Sequence, residues 1–150
     1  MTKLGDIMRE GFLIAVQRTA TVAEAARVMT RNNVGIVAVL DGDRLVGVCS
    51  ERDVVRRVIV KALDAARTLV GEVMTRDLVV SGEDEGYREA IRKMNHANIR
   101  HLPVVREGRI VGIVSVRDLM RVDMERMGDE IKYLHEYLYT VPPGVGDTSA

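Results

Sequence analysis

The chain writes one seven-residue stretch twice, and this duplication restricts its fold more than any other feature. Gly47-Val48-Cys49-Ser50-Glu51-Arg52-Asp53 returns as Gly112-Ile113-Val114-Ser115-Val116-Arg117-Asp118. Between 24–57 and 89–122 the two copies align without a gap at an offset of 65, and thirteen of the 34 positions are identical. Most of the rest trade one apolar residue for another, as in Val34/Ile99, Leu45/Ile110 and Val54/Leu119. Upstream, Gly5-Asp6-Ile7-Met8 answers Gly71-Glu72-Val73-Met74 at an offset of 66, so one residue slips between the blocks. A unit this long, written only twice, indicates duplication of a small module rather than a solenoid. Two such copies are expected to pack about a pseudo-twofold axis, which also creates two equivalent clefts.

Each copy reads as strand, helix, strand, strand, helix. Residues 4–8 and 71–75 are short lead-in turns. Leu13-Ile14-Ala15-Val16 and Leu78-Val79-Val80 are short apolar strands. Thr21 opens a helix to about Asn32, with Val22, Ala25, Ala26 and Met29 at helical spacing; its counterpart runs from about Gly86 to Ala97. Asn33 and Gly35 suit a helix end. Ile36 to Leu40, the Asp41-Gly42 turn and Leu45 to Val48 predict a β-hairpin. The second hairpin turns at Glu107-Gly108, and Pro103 confines the start of its first strand to an edge or strand-entry position. Helices follow over about 51–63 and 116–126. A separate helix is expected from Asp129 to Tyr139, with Ile131, Leu134 and Leu138 on one face beside Tyr137. The expected organisation is α+β: one module over 4–66, another over 67–126, a C-terminal helix over 127–140 and a loose tail over 141–150.

Composition bounds the function. With 150 residues, 47% apolar and 29% charged, the chain can build a core without staples. Formal net charge is zero, so it lacks the basic excess of a nucleic-acid binder, although arginines outnumber lysines 18 to 4. The single Cys49 excludes an intrachain disulfide and suits a reducing compartment; inside an apolar run it reads as a buried small hydrophobe. No apolar run approaches the roughly 20 residues of a membrane helix, and Asp6, Arg9 and Glu10 break any signal-peptide pattern, so a cytoplasmic location is expected. His96, His101 and His135 do not form a metal set.

In this order the repeated elements resemble a tandem pair of CBS (cystathionine β-synthase) domains, a Bateman module, over about residues 4–126. The resemblance implies a regulatory module rather than an enzyme. It implies adenosine-containing ligands, AMP first, then ADP, ATP or S-adenosylmethionine, with no required cofactor and with Mg²⁺ arriving only alongside a nucleotide. It implies a homodimer that reports to a regulated protein not identifiable from this chain. By the family pattern Asp53 and Asp118 would hold ribose hydroxyls, and Ser50 and Ser115 would lie near ribose and phosphate. The adenine wall would come from Val34-Gly35-Ile36 and Ile99-Arg100-His101-Leu102-Pro103.

Elementary chemistry is compatible with that assignment. A helix N-terminus attracts anions, a carboxylate one turn in accepts two vicinal hydroxyls, and Arg52 and Arg117 add charge for phosphate. A simpler reading stands beside it, because Ser-x-x-Asp is also a helix cap. Two differences between the copies matter: Gly86 replaces Thr21, and Glu83-Asp84-Glu85 sets three acids at the edge of the second cleft. The rival reading is a ligand-free scaffold that works through dimerisation and its Tyr-rich C-terminus.

Overall fold

The computed structural model describes residues 2–8 and 13–139. The order of elements is α1 (Leu4–Ile7), β1 (Ala15–Gln17), α2 (Val22–Asn32), β2 (Ile36–Asp41), β3 (Arg44–Ser50) and α3 (Glu51–Val54), which continues as a π-helical turn (Val55–Ile59). The second half follows with α4 (Val70–Val73), β4 (Ser81–Gly82), α5 (Tyr87–Ala97), β5 (His101–Arg106), β6 (Arg109–Ser115) and α6 (Val116–Tyr139). Two three-stranded sheets result, β1-β2-β3 and β4-β5-β6. In each, the first pair is parallel and the second antiparallel. This is the expected α+β pair of modules about a pseudo-twofold axis.

Local signals explain the element ends. Thr21 and Glu24 form a capping box on α2, with the Glu24 amide donating to Thr21 Oγ1 and the Thr21 amide donating to the Glu24 carboxylate. Asn33 and Asn98 terminate α2 and α5 at φ 51° and 54°, the left-handed conformation asparagine tolerates. Gly86 caps α5 without a side-chain bond. Both hairpins shift register two residues before their turns, between Val39 and Leu40 and between Val104 and Val105.

Three expectations change. The apolar run Leu78-Val79-Val80 precedes its strand; pairing occurs at Ser81–Gly82, because ladder hydrogen bonds rather than hydropathy define the strand. The first module's last helix is α-helical for only one turn before widening, with the Val60 amide reaching Val55 and the Leu63 amide reaching Val58. The break expected near residue 126 does not occur: α6 is one continuous helix of 24 residues. The predicted tail and the tyrosine side chains of the C-terminal helix lie outside the described residues.

Packing crosses the sequence order. The first lead-in turn, α1, docks on the second module: the Leu4 and Gly5 amides donate to the Glu85 and Glu83 carbonyls (2.9 and 2.8 Å). Leu4 is fully buried with Tyr87, Met94, Leu102 and Leu119. The second, α4, docks on the first module: the Val70 and Gly71 amides donate to the Ala20 and Arg18 carbonyls (2.8 and 3.0 Å). Val70 and Met74 join Met29, Val37, Val39 and Cys49 in that core. After each turn a methionine crosses a repeated glycine. A Cβ on Gly47 would lie 2.6 Å from Met74 Sδ and 2.8 Å from the Thr75 carbonyl oxygen, and one on Gly112 would lie 2.8 Å from Met8 Sδ.

The two glycines should therefore respond differently to substitution. Gly47→Ala presses on backbone as well as on a side chain and should cost about 1–3 kcal/mol. Gly112→Ala meets only the flexible end of Met8 and should cost less. Chemical denaturation of the two variants beside the native chain checks the order; equal losses would contradict it.

Candidate functional site

The repeated Ser-x-x-Asp stretches lie where β3 and β6 hand over to helices. Both form capping boxes. Ser50 Oγ accepts from the Asp53 amide (3.1 Å) and Asp53 Oδ2 accepts from the Ser50 amide (3.0 Å). Ser115 Oγ accepts from the Asp118 amide (3.0 Å) and Asp118 Oδ2 accepts from the Ser115 amide (3.2 Å). The cap is present in both copies, so it does not by itself mark a ligand site. What differs is the remainder of each carboxylate.

Asp53 is buried, with a side chain only 12% exposed, and is held by its own protein. Thr75 Oγ1 donates to either carboxylate oxygen at 3.2 Å. The Arg57 guanidinium lies 3.9 Å from Oδ1 and is itself fixed by donating to the Val73 and Met74 carbonyls, both at 2.8 Å. Burial, and next the Asp53 carboxylate, push the neighbouring Cys49 thiol up to about 12, which leaves it an unreactive core residue. Asp118, by contrast, has a side chain 43% exposed; beyond the cap it makes a surface pair with Arg121 at 3.4 Å. Val122 occupies the repeat position of Arg57 and packs into the second core instead.

Asp118 opens onto a cleft of about 590 Å³, within the usual range for small-molecule sites. Its lining is composite: Ile14 and Asn33-Val34-Gly35-Ile36 from the first module, and Arg100, His101, Ile113 and Ser115 to Asp118 from the second. The structure thus brings together Val34, Gly35, Ile36, Arg100, His101, Ser115, Arg117 and Asp118. It does not bring Ser50, Arg52, Asp53, Ile99, Leu102 or Pro103 to this cleft. Leu102 is fully buried and Pro103 is buried in the sheet, Ile99 packs against the core, and Arg52 is exposed on the other module. Ile14 and Asn33 had no signal in linear order, because the wall opposite Asp118 comes from the other repeat; Ile113 and Val116 flank Ser115 inside the repeated stretch itself.

Charge at the cleft is also rearranged. Glu83, Asp84 and Glu85 do not line it; they pair with Arg106, Lys3 and Lys93 around the docked lead-in turn. Two of the first three amides of α6 are engaged, Val116 with the Arg100 carbonyl (2.8 Å) and Asp118 with Ser115. An anion would therefore draw chiefly on the Arg100 and Arg117 side chains. Glu51 occupies the place of Val116 in the first copy, and its carboxylate would sit 3.4 Å from a Cβ on Gly35. His101 is held below its ordinary range by burial first; Asp118 and Glu51 oppose that shift and Arg100 adds to it. Among the described residues no group of three or more metal-ligating side chains occurs, and no helix is long and apolar enough to cross a membrane.

The CBS domain family profile matches residues 4–60 and 70–125, and the chain belongs to the CBS domain family. A mitochondrial CBS domain-containing protein of Arabidopsis thaliana is 31% identical over 91% of this chain and 72% of its own length. Other relatives are covered over 74% of their length down to 21%. A CBS domain protein of Pyrobaculum aerophilum, solved in complex with AMP, superposes with a TM-score of 0.70 at 29% identity, over 78% of this chain and 89% of that one. A CBS domain pair solved with 5′-methylthioadenosine and S-adenosyl-L-methionine gives a TM-score of 0.71 at 30% identity, over 83% of this chain and 98% of that one.

Two outcomes follow for the titrating and buried groups. Asp53→Ala should destabilise the fold by about 1–3 kcal/mol, since it removes a cap, leaves the Thr75 hydroxyl without its acceptor and takes the counter-ion from Arg57; urea unfolding measures this, and an unchanged midpoint would contradict it. For His101, the unfolded chain takes up the proton more readily than the folded one. Stability should be full above the ordinary histidine value of roughly 6.5 and fall as pH drops below it. His101→Gln should flatten that slope in thermal unfolding between pH 7 and 5, and an unaltered slope would place the titrating group elsewhere.

Proposed function

We propose that this chain is a regulatory module that binds an adenosine-containing ligand in the composite cleft, AMP first, then ADP, ATP or S-adenosylmethionine. The observation that carries the reading is the half-exposed Asp118 carboxylate on the first turn of α6, set against an apolar wall from the other module. Its free lone pairs suit the two hydroxyls of a ribose. Arg100 and Arg117 supply charge for a phosphate, and Val34, Ile36 and Ile113 supply a surface for the base. Relatives of the same fold, solved with AMP or with S-adenosyl-L-methionine, support the ligand class. CBS pairs are typically regulatory modules, and no step here calls for a catalytic group. Mg²⁺ would enter only with a nucleotide.

The buried, self-bonded Asp53 supports one ligand per chain rather than two. A ligand spanning a wall from one module and a motif from the other has different affinities for different packings of the pair, and that difference is the signal. The module would work as a homodimer in the cytoplasm, reporting to a regulated protein. The competing scaffold reading draws on the exposed Val55, Ile59 and Val60 of the first module's last helix. It differs in expecting no small ligand.

Thermal unfolding with AMP, ADP, ATP and S-adenosylmethionine, each added separately, discriminates the two. A ligand at 100 times its dissociation constant stabilises by about 2.7 kcal/mol, a shift of several degrees. Asp118→Ala should weaken binding by roughly 10- to 100-fold, the loss of hydrogen bonds to a charged group, while lowering the unliganded melting temperature less than Asp53→Ala does, since it removes the cap but no buried partner. Titration calorimetry should give one site per chain. No shift with any of the four would favour the scaffold.

A further inference from the structure

The two modules bring the same repeat positions to the composite cleft with opposite chemistry. Gly35-Ile36 and Arg100-His101 are partners at the offset of 65, and both pairs line the cleft. The register that places Ile36 opposite Ser50 places His101 opposite Ser115. One wall is therefore small and apolar, and the other carries a guanidinium and an imidazole. The backbone at the start of α6 adds little to that charge, because the Val116 amide donates to the Arg100 carbonyl and the Asp118 amide to Ser115. Selection of a ligand by its charge falls to the side chains.

His101 is half-buried at the start of β5. The charged groups around it are Asp118 and Arg117 from α6, Arg100 just before it in the chain, and Glu51 from α3 of the first module. Burial outweighs the two carboxylates, so the imidazole is neutral near pH 7 in the unliganded cleft. A ligand alters that balance only through its own charge. Adenosine brings none. A phosphate monoester brings about 1.5 to 2 negative charges at pH 7, and Arg100 draws it to the wall that His101 shares. An opposite charge within about 4–6 Å favours the protonated ring. We propose that Arg100 and His101 make the cleft selective for an adenosine ligand that carries a phosphate monoester, and that His101 takes up a proton as this phosphate binds. The inference rests on the adenosine reading of the cleft and adds to it the group that is read and the residue that reads it. Its sign is fixed by linkage. The liganded cleft holds the proton to higher pH than the empty one, so affinity for the phosphate ligand rises as pH falls and levels off once the empty cleft is protonated too.

Titration calorimetry of the full chain with AMP, adenosine and S-adenosylmethionine at pH 8 and pH 6 tests it. The phosphate of AMP ionises in the same range, so the native chain is compared with His101→Gln, where that contribution is unchanged. The two should bind AMP alike at pH 8, and the native chain should gain roughly 3- to 10-fold over the variant at pH 6. Adenosine should show no such gain. Arg100→Gln should weaken AMP at both pH values and leave adenosine unaltered. The imidazole resonances of the native chain give a reading that needs no variant: the titration midpoint of one of its three histidines should rise with saturating AMP and stay put with adenosine. AMP binding no tighter than adenosine, a His101→Gln variant that keeps the native pH dependence, or imidazoles that ignore AMP would each overturn the inference and leave the adenosine reading standing. Binding of S-adenosylmethionine without AMP would do the same. Binding of none of the three would remove the reading and the inference together.

Discussion

The structure depends on an exchange of lead-in turns. Neither repeat closes its own core. Leu4 of the first fills the second, and Val70 and Met74, at the head of the second, fill the first. Burying one leucine completely is worth about 1.5–3 kcal/mol, so each module is incomplete until the other is formed. The repeated Gly47 and Gly112 allow the exchange, because only a residue without Cβ lets a methionine cross the strand so closely. The composite cleft has the same origin: modules interlocked in this way set Gly35 and Ile36 of one opposite Asp118 of the other.

Within that frame, one motif has come to do two things. Both Ser-x-x-Asp units cap a helix with the same bonds. Arg57 and Thr75 then consume what remains of Asp53, whereas Val122 turns inward and leaves Asp118 facing the cleft. The pair repeats its sheets and its caps and is asymmetric in its polar chemistry. Because α6 starts at the open Asp118 and ends in an exposed apolar stripe, cleft and stripe belong to one rigid element.

Much of this was legible in the chain. The 65-residue register, the asparagine helix ends, the hairpins and the capping potential of Ser50 and Ser115 all follow from local rules of spacing and side-chain reach. The candidate site was legible in part. Ser115, Arg117 and Asp118 were marked by their motif, and the family resemblance named Val34, Gly35, Ile36, Arg100 and His101, which line the cleft, beside Ile99, Leu102 and Pro103, which the sheet and the core claim. The acids at 83–85 read as the edge of the second cleft, yet they pair away from it with Arg106, Lys3 and Lys93.

The sequence by itself determined the module, its duplication and the positions of its caps, because turns, caps and hydrophobic period are short-range and repeat wherever the residues repeat. Only the tertiary structure decided which module each lead-in turn completes, which aspartate stays open and which segment walls the cleft. Those outcomes turn on contacts between residues far apart in the chain, such as Thr75 with Asp53, and identical motifs cannot reveal in advance which copy will find such a partner.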